Sequence, residues 1–201
     1  MDQRTDQRTD RRAPARTRVR PLARAAALAG AVLLLGGWGP TGTRIDTAYY
    51  PISGRSHAEL VGSVRRYGPG GFAYGMGIID FHPGFDTGWR DGKCRIVTAE
   101  TGLTVSLRLP EWRGPADAPG RVLQTARRFA SEVRRHEMQH VDIARRYQRA
   151  MTARLLKLPA EASCWSLAAS ARALVERLKK DHLAAQRTFD RRSHRQIMRL
   201  L

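Results

Sequence analysis

Acidic residues are scarce in this chain of 201 residues, which has 18 Asp and Glu against 36 Lys and Arg and a formal net charge of +18. That excess of cations favours anionic partners such as an anionic envelope surface. Zinc-finger, helix-turn-helix and RNA-recognition motifs are absent, and the basic helices lack interleaved aromatics, so we expect no specific nucleic-acid target. Hydrophobic residues still make up 42% of the chain, enough for a globular core.

Cysteine is also rare, since the sequence contains only Cys94 and Cys164. An even count suits one disulfide bond if the chain is exported to an oxidising compartment. Such a bond would close a loop of about 70 residues and stabilise the fold by roughly 4 kcal/mol on the chain-entropy argument. The alternative is two unpaired, buried thiols.

The N-terminal apolar run, about Ala25 to Trp38, is shorter than the roughly 20 residues that a membrane span needs. It follows a polar, Arg-rich lead, a pattern typical of a secretory signal. We therefore expect residues 1–42 to be a basic lead with a signal peptide or anchor, and residues 43–201 to be one domain. The protein is then secreted or periplasmic. If residues 25–38 are not cleaved, they are its membrane attachment and tie it to the inner membrane.

The first part of the domain predicts β-structure with one short helix. TAYYPIS and residues 72–82 are expected to be strands, and residues 83–93 a loop. Ser56 and Glu59 form a capping box before the helix, which we place at about 57–66. Two further strands flank Thr101-Gly102, where we expect a hairpin turn.

The second part predicts long helices. From about Arg121, apolar residues three and four apart indicate one buried helical stripe that ends at Leu158-Pro159. A second such pattern runs from about Glu161 to Phe189. We therefore expect an α+β domain in which a small, mostly antiparallel sheet is followed by two long packed helices.

The most informative stretch is RRHEMQHVDIARRY, residues 134–147. His136 and His140 continue the apolar stripe, so both imidazoles are expected to point inward, toward the sheet and the second helix. Buried imidazoles need partners, and Zn²⁺ supplies one because histidines four apart place two nitrogens on the same side of a helix. Glu137, about 100° around the axis, is then placed to accept a proton from a metal-activated water.

A catalytic zinc site needs a third protein ligand. The metzincin pattern is excluded because Ile143 and Arg146 stand where it requires its glycine and third histidine. Two candidates for this ligand are Glu161, at a predicted helix start, and His182, on the apolar stripe of the second helix. The alternatives are that Glu161 only caps the helix and that His182 is a core histidine with its hydrogen bonds satisfied.

Several segments together resemble one bacterial family: YYPISG, GKCRIVTAETGLTVSLRLPEW, the motif helix, Cys164 and the terminal FDRRSH. The family is known as predicted secreted zinc-dependent proteases, with a domain of unknown function, and the resemblance covers about residues 48–194. It implies an exported metallopeptidase with a zincin-like helix. In it, His136 and His140 are ligands and Glu137 is the general base.

The family's C-terminal Tyr-Asp, Thr, His-Gly pattern is similar to Phe189-Asp190, Ser193 and His194 here. The histidine comes one place early, and Arg195 stands where the family has Gly or His. This resemblance makes His194 the first choice of third ligand, ahead of His182, Asp190 and Glu161.

Taken together, these features predict a zinc-dependent peptidase acting on a peptide or protein substrate. The sequence does not identify an oxyanion stabiliser, although Tyr147, Tyr67 or an arginine could serve. Strand 103–109 is a candidate sheet edge along which an extended substrate could bind, but an ordinary packed strand is the favoured interpretation. One rival is a non-catalytic envelope protein with a closed, four-ligand structural zinc site. Another is a basic protein that binds an anionic polymer. If the motif binds no metal, its two histidines are partly exposed and make surface contacts with Glu132 or Asp142.

Overall fold

The structure, a computed structural model, describes residues 42–71 and 73–198, with side chains described as far as Ser193. The lead and apolar run expected within residues 1–41 lie outside the described residues. The elements are β1 (Thr43–Ile52), α1 (His57–Tyr67), a 3₁₀ turn (Pro69–Gly71), β2 (Met76–Arg90), β3 (Lys93–Trp112), α2 (Gly120–Leu155) and α3 (Cys164–Met198). This confirms the α+β prediction. Within the described ranges, no helix is both long and apolar enough to cross a bilayer.

The sheet has three strands in the order β1-β3-β2. β2 pairs with β3 antiparallel along its whole length, and β1 pairs parallel with the second half of β3, Leu103 to Trp112. The predicted capping box is present before α1, where Ser56 Oγ accepts the N–H of Glu59 at 3.2 Å. β1 and the short helix are therefore close to their predicted positions.

The hairpin lies elsewhere than predicted. β3 runs without a break through Thr101-Gly102, whose residues pair with Pro83 and His82 of β2. The turn is instead Asp91-Gly92, flanked by the pair Arg90 and Lys93, with φ of 53° and 69°. Two residues of positive φ are what a two-residue type I′ turn requires, and Asp-Gly is a preferred sequence for it.

One further prediction about this sheet was wrong. Residues 83–93 are not a loop, because β2 continues to Arg90. Pro83 is tolerated because β2 is an edge strand, where a missing N–H need not cost a ladder hydrogen bond. Strand 103–109 is the ordinary packed strand that was favoured over an edge, because it lies in β3 between β1 and β2.

Helix α2 covers the inner face of the sheet. The main core joins its small and aromatic side chains to the alternate residues of β3: Ala126, Phe129, Val133, Val141 and Ala144 against Leu103, Val105, Leu107 and Leu109. The predicted long helix is confirmed at 36 residues. Since every residue of this contact surface is buried, α2 is held in a fixed position over the sheet.

Helix α3 begins three residues later and ends nine residues further on than predicted. Ser163 caps its first turn, with its Oγ accepting the N–H of Ser166 at 3.1 Å. Cys94 and Cys164 form the predicted disulfide bond, with Cα atoms 5.1 Å apart. A short bridge between Cys94 and Glu161, with hydrogen bonds of 2.8 and 3.0 Å, adds to this attachment. The base of α3 is thus fastened to the start of β3.

We predict that Cys94→Ala with Cys164→Ala lowers the free energy of unfolding by about 4 kcal/mol, because the bond closes a loop with a sequence separation of 70. Denaturation in urea, followed by circular dichroism, measures the loss. Treating the wild-type protein with a reductant should reproduce it. An unchanged midpoint in both experiments would contradict the prediction.

Candidate metal centre

The motif helix presents two different faces at the site. Glu137, not a histidine, continues the stripe of α2 that packs on the sheet, at four-residue steps from Val133 and to Val141. Its exposed fraction is 6%, whereas the His136 and His140 side chains are 15% and 13% exposed. The carboxylate is therefore the more deeply buried group and lies toward the sheet. The two imidazoles contact Asp190 and Phe189 of α3, as expected, and border a cleft whose other wall is β2.

Three donor atoms converge between α2 and α3. His136 Nε2 and His140 Nε2 are 3.1 Å apart, and Asp190 Oδ1 lies 2.8 Å from the latter and 3.4 Å from the former. Ligands about 2.0–2.1 Å from a tetrahedral zinc ion are roughly 3.3 Å from one another. Among the described residues, this is the group of His, Cys, Asp and Glu side chains that could hold a metal ion. The donor set and its spacing fit zinc.

Gln186 determines which nitrogen of His140 is available. The Gln186 amide nitrogen donates to His140 O at 3.1 Å and lies 2.7 Å from His182 Nε2, so both of its hydrogens are used. Its Oε1 lies 2.5 Å from His140 Nδ1 and must accept the hydrogen of that nitrogen. Neutral His140 therefore directs an unprotonated Nε2 at His136 and Asp190, an arrangement that favours a cation among them.

Phe189 supports both imidazoles. Its ring centroid lies 4.8 Å from that of His136 and 4.9 Å from that of His140. The two imidazole centroids are themselves 4.8 Å apart and nearly perpendicular. Three rings in mutual contact restrict each other's rotation, so the donor geometry is fixed by packing as well as by the hydrogen bonds of Gln186.

Glu137 occupies a buried position under the edge strand. A Cβ built on Gly75 would lie 2.5 Å from Glu137 Oε1, and one built on Gly77 would lie 3.5 Å from Oε2. Glycine at residue 75 is therefore what leaves room for the carboxylate. Burial raises the pKa of Glu137 to about 7; the electrostatic interaction with His140 opposes this rise, and the interaction with Asp190 adds to it.

A cleft of about 680 Å³ opens over these groups. One wall is the start of β2, where Gly75, Gly77, Ile79 and Phe81 line it, and the other is α3 with Lys179 and Leu183. His136, Glu137, His140 and Asp190 all border the same cavity. A ligand of peptide size could thus reach the three donor atoms and the buried carboxylate together.

The predicted third ligands have different positions. Asp190 completes the donor group, although it ranked below His194 and His182. His182 lines the cleft, but its Nε2 is engaged by Gln186, and burial lowers its pKa. Glu161 pairs with Cys94, and hydrogen bonds to Ser166 and Ser170 lower the pKa of its carboxyl. The side chain of His194 lies outside the described residues, so its ligand role stays a prediction.

The candidate oxyanion stabilisers are not at the cleft. Tyr147 lines a separate groove between α2 and α3, where its hydroxyl donates to Asp181 O at 3.1 Å. Tyr67 is at the end of α1 and is not among the residues that line the cleft, and the tyrosine that does line it is Tyr74. Within the described part of that lining, Lys179 is the side chain with a fixed positive charge, and no arginine is present.

Gln186 was missed by sequence reasoning, although a signal for it exists. His182, Gln186 and Asp190 are four residues apart and therefore lie on one face of α3. Leu178 begins the same series and is buried, at 1% exposure. Polar residues that continue a buried apolar series at helical spacing indicate a site just as the two histidines of α2 do.

Comparison with known proteins gives a family but no assigned activity. Residues 47–196 match the family described as "Bacterial protein of unknown function (DUF922)". Because the match covers most of the chain, the protein belongs to this family. No curated protein and no solved structure matches the chain.

We predict that Gln186→Ala weakens zinc binding by about 10- to 100-fold, because His140 loses the acceptor that holds its tautomer and ring orientation. Competition with a chromophoric chelator measures the affinity. Gln139→Ala is the matched control, since Gln139 lies on α2 between the two histidines and its side chain is exposed. Equal affinities for the two variants would show that Gln186 does not orient the site.

We predict that metal-free Glu137→Gln is more stable than the metal-free wild type at pH 8, on the order of 3 kcal/mol, and nearly equal to it at pH 5. The folded-state pKa of about 7 exceeds the ordinary 4.5, so ionisation of Glu137 destabilises the fold as pH rises through this interval. Urea denaturation at both pH values tests this. Glu100→Gln, at an exposed strand position, should show no such pH dependence. A stability difference that does not grow with pH would be inconsistent with a carboxyl of raised pKa.

Proposed function

We propose that this member of the DUF922 family is an exported zinc-dependent hydrolase that cleaves peptide bonds in a peptide or protein substrate. His136, His140 and Asp190 would hold the ion, and Glu137 would act as general base. The observation that carries the proposal is the convergence of three donor atoms beside a buried carboxylate on one wall of a cleft. When bound, zinc would act as a Lewis acid and lower the pKa of a water to about 7.

Glu137 has the properties that a general base needs at neutral pH. A carboxyl of pKa about 7 can accept a proton and give it up again with little cost. Glu137 would take the proton of the attacking water and return it to the leaving amine. Its burial against Gly75 and Gly77 keeps the carboxylate out of bulk water and fixes its direction. Gln186 and Phe189 would keep the imidazoles oriented through the reaction.

The cleft suits an extended chain. The start of β2, Met76 to Phe81, forms one wall of the cleft, and β2 is an edge strand of the sheet. A peptide lying along that wall could add to the sheet through backbone hydrogen bonds. β2 therefore takes the substrate-aligning role for which strand 103–109 was a candidate. Ile79, Phe81 and Leu183 would contact apolar substrate side chains.

The composition of the donor group argues against the rival function, that of a protein with a structural zinc site. A structural zinc ion is normally closed in by four protein ligands, whereas a catalytic one keeps a position open. The donor group of the described residues has three members and borders a cleft. Export is supported by the disulfide bond, because such bonds persist mainly in oxidising compartments. The N-terminal apolar run after a basic lead is the second support.

We predict that Glu137→Gln lowers kcat by about 100- to 10,000-fold while leaving zinc content unchanged, because it removes the base and no ligand. The assay incubates the zinc-loaded full chain with a complex peptide mixture and identifies new termini by mass spectrometry. Glu132→Gln, on the same helix, is the matched control and should remain active. Cleavage that persists in Glu137→Gln, or in protein stripped of metal, would count against the mechanism.

A further inference from the structure

One end of the molecule exposes large apolar side chains. Trp165 and Trp89 have exposed fractions of 78% and 63%, and Val97 and Leu156 of 57% and 48%. They belong to two segments, the hairpin turn 89–97 and the α2–α3 connection with the first residues of α3, 156–165. We call these two segments together the disulfide end. Tryptophan is normally buried because its ring contributes more apolar area than most side chains, so two exposed indoles indicate a surface that something else covers.

The disulfide bond holds the two indoles close together. Trp89 is the strand partner of Cys94, and Trp165 follows Cys164, whose Cα lies 5.1 Å from that of Cys94. Strand partners are about 4.5–5.5 Å apart and chain neighbours 3.8 Å apart, so the Cα atoms of the tryptophans are at most about 15 Å from each other. The hydrogen bonds between Cys94 and Glu161 fix the same two segments. The two exposed indoles therefore lie on adjoining segments, and we call them together the indole patch.

Cations surround this patch. Arg90 and Lys93 flank the turn, Arg95 follows on β3, and Lys157 lies on the connection; all four are exposed. The acidic residues of the disulfide end are Asp91, at the turn, and Glu161, whose carboxyl is hydrogen-bonded to Ser166 and Ser170. Cations are thus in excess here, as they are in the whole chain with its net charge of +18.

We propose that the disulfide end binds the surface of an anionic phospholipid bilayer, with Trp89 and Trp165 entering the headgroup region and the four cations contacting lipid phosphates. Indole rings are favoured at the membrane–water interface, and basic side chains next to them are attracted by anionic lipids. The residues of the hairpin turn are exposed, so they are accessible to a planar bilayer surface. Apolar insertion and charge attraction together supply the two signals that a stable peripheral attachment needs.

The cleft lies far from this surface. Trp89 is eight residues along β2 from Phe81, the residue nearest to it on that strand that lines the cleft. At about 3.3 Å per residue these two positions are up to roughly 26 Å apart. A protein attached through the disulfide end would therefore hold its cleft away from the lipid. The proposal concerns a different surface and does not depend on what the cleft does.

The test uses the full chain and reports on each indole separately, because the apolar run 25–38 could bring the chain to a vesicle by itself. Two variants keep a single tryptophan, Trp89 or Trp165, with phenylalanine at the other tryptophan positions. Each is mixed with vesicles of phosphatidylglycerol and phosphatidylcholine, with and without brominated lipid. We expect a blue shift of emission and quenching by the bromine for both indoles, and neither effect with pure phosphatidylcholine. Emission identical to that in buffer, without quenching, would overturn the proposal, even if the chain also bound a soluble anionic polymer or another protein.

A second experiment compares two triple variants that each remove three positive charges. Arg90→Gln, Lys93→Gln and Arg95→Gln together should weaken partitioning onto the anionic vesicles at least tenfold, because each cation near the surface contributes to binding. Arg127→Gln, Arg128→Gln and Arg134→Gln form the matched control, with the same change of charge on the exposed face of α2. The control should bind as the wild type does. An equal loss in both triple variants would assign binding to overall charge and contradict the assignment to the disulfide end.

Discussion

Two imidazole nitrogens and a carboxylate oxygen lie within 3.4 Å of one another between α2 and α3. The rest of the site depends on what relieves the repulsion between these three atoms. Unprotonated nitrogens and a carboxylate repel each other unless a proton or a metal ion lies among them. Gln186 supplies the His140 Nδ1 hydrogen with an acceptor and so leaves the Nε2 lone pair directed at the group. The two helices are thus joined by a polar contact that favours a cation.

The fold supports this contact from three sides. β3 and the buried stripe of α2 fix the motif helix over the sheet, and the disulfide bond fastens the base of α3 to β3. The sheet edge contributes glycine where Glu137 needs room, so the buried carboxylate borders the same cleft as the donor atoms. Packing, not the motif alone, places the base and the donor group in the same cavity.

Much of this arrangement could be predicted from the sequence, because the strongest signals were local. The capping box before α1, the helical periodicity of α2 and the two cysteines each predicted what the structure contains. The hairpin was misplaced because Thr101-Gly102 was given more weight than Asp91-Gly92, although Asp-Gly is the sequence that tolerates two positive φ angles. Periodicity shows that a strand alternates, but it does not show which strand lies at the edge of the sheet.

The third donor depended on information that the motif does not contain. Asp190 and His140 are 50 residues apart in sequence and meet where α2 and α3 pack together, and the residue numbers alone do not determine how the two helices pack. The four-residue spacing of His182, Gln186 and Asp190 did contain part of the answer, since a face with three polar residues had to meet something polar. Considering only His182 and Asp190, each as a single ligand, left out Gln186, whose amide hydrogen-bonds to both His182 and His140.

The most direct test of the central claim is a titration of the metal-free full chain with zinc, with metal content measured after removal of excess ion. The account predicts one tightly bound zinc ion per chain in the wild type and its loss in Asp190→Ala, with circular dichroism unchanged. A wild-type chain that takes up no zinc, or an Asp190→Ala variant that retains it with full affinity, would contradict the assignment of His136, His140 and Asp190 as the metal site.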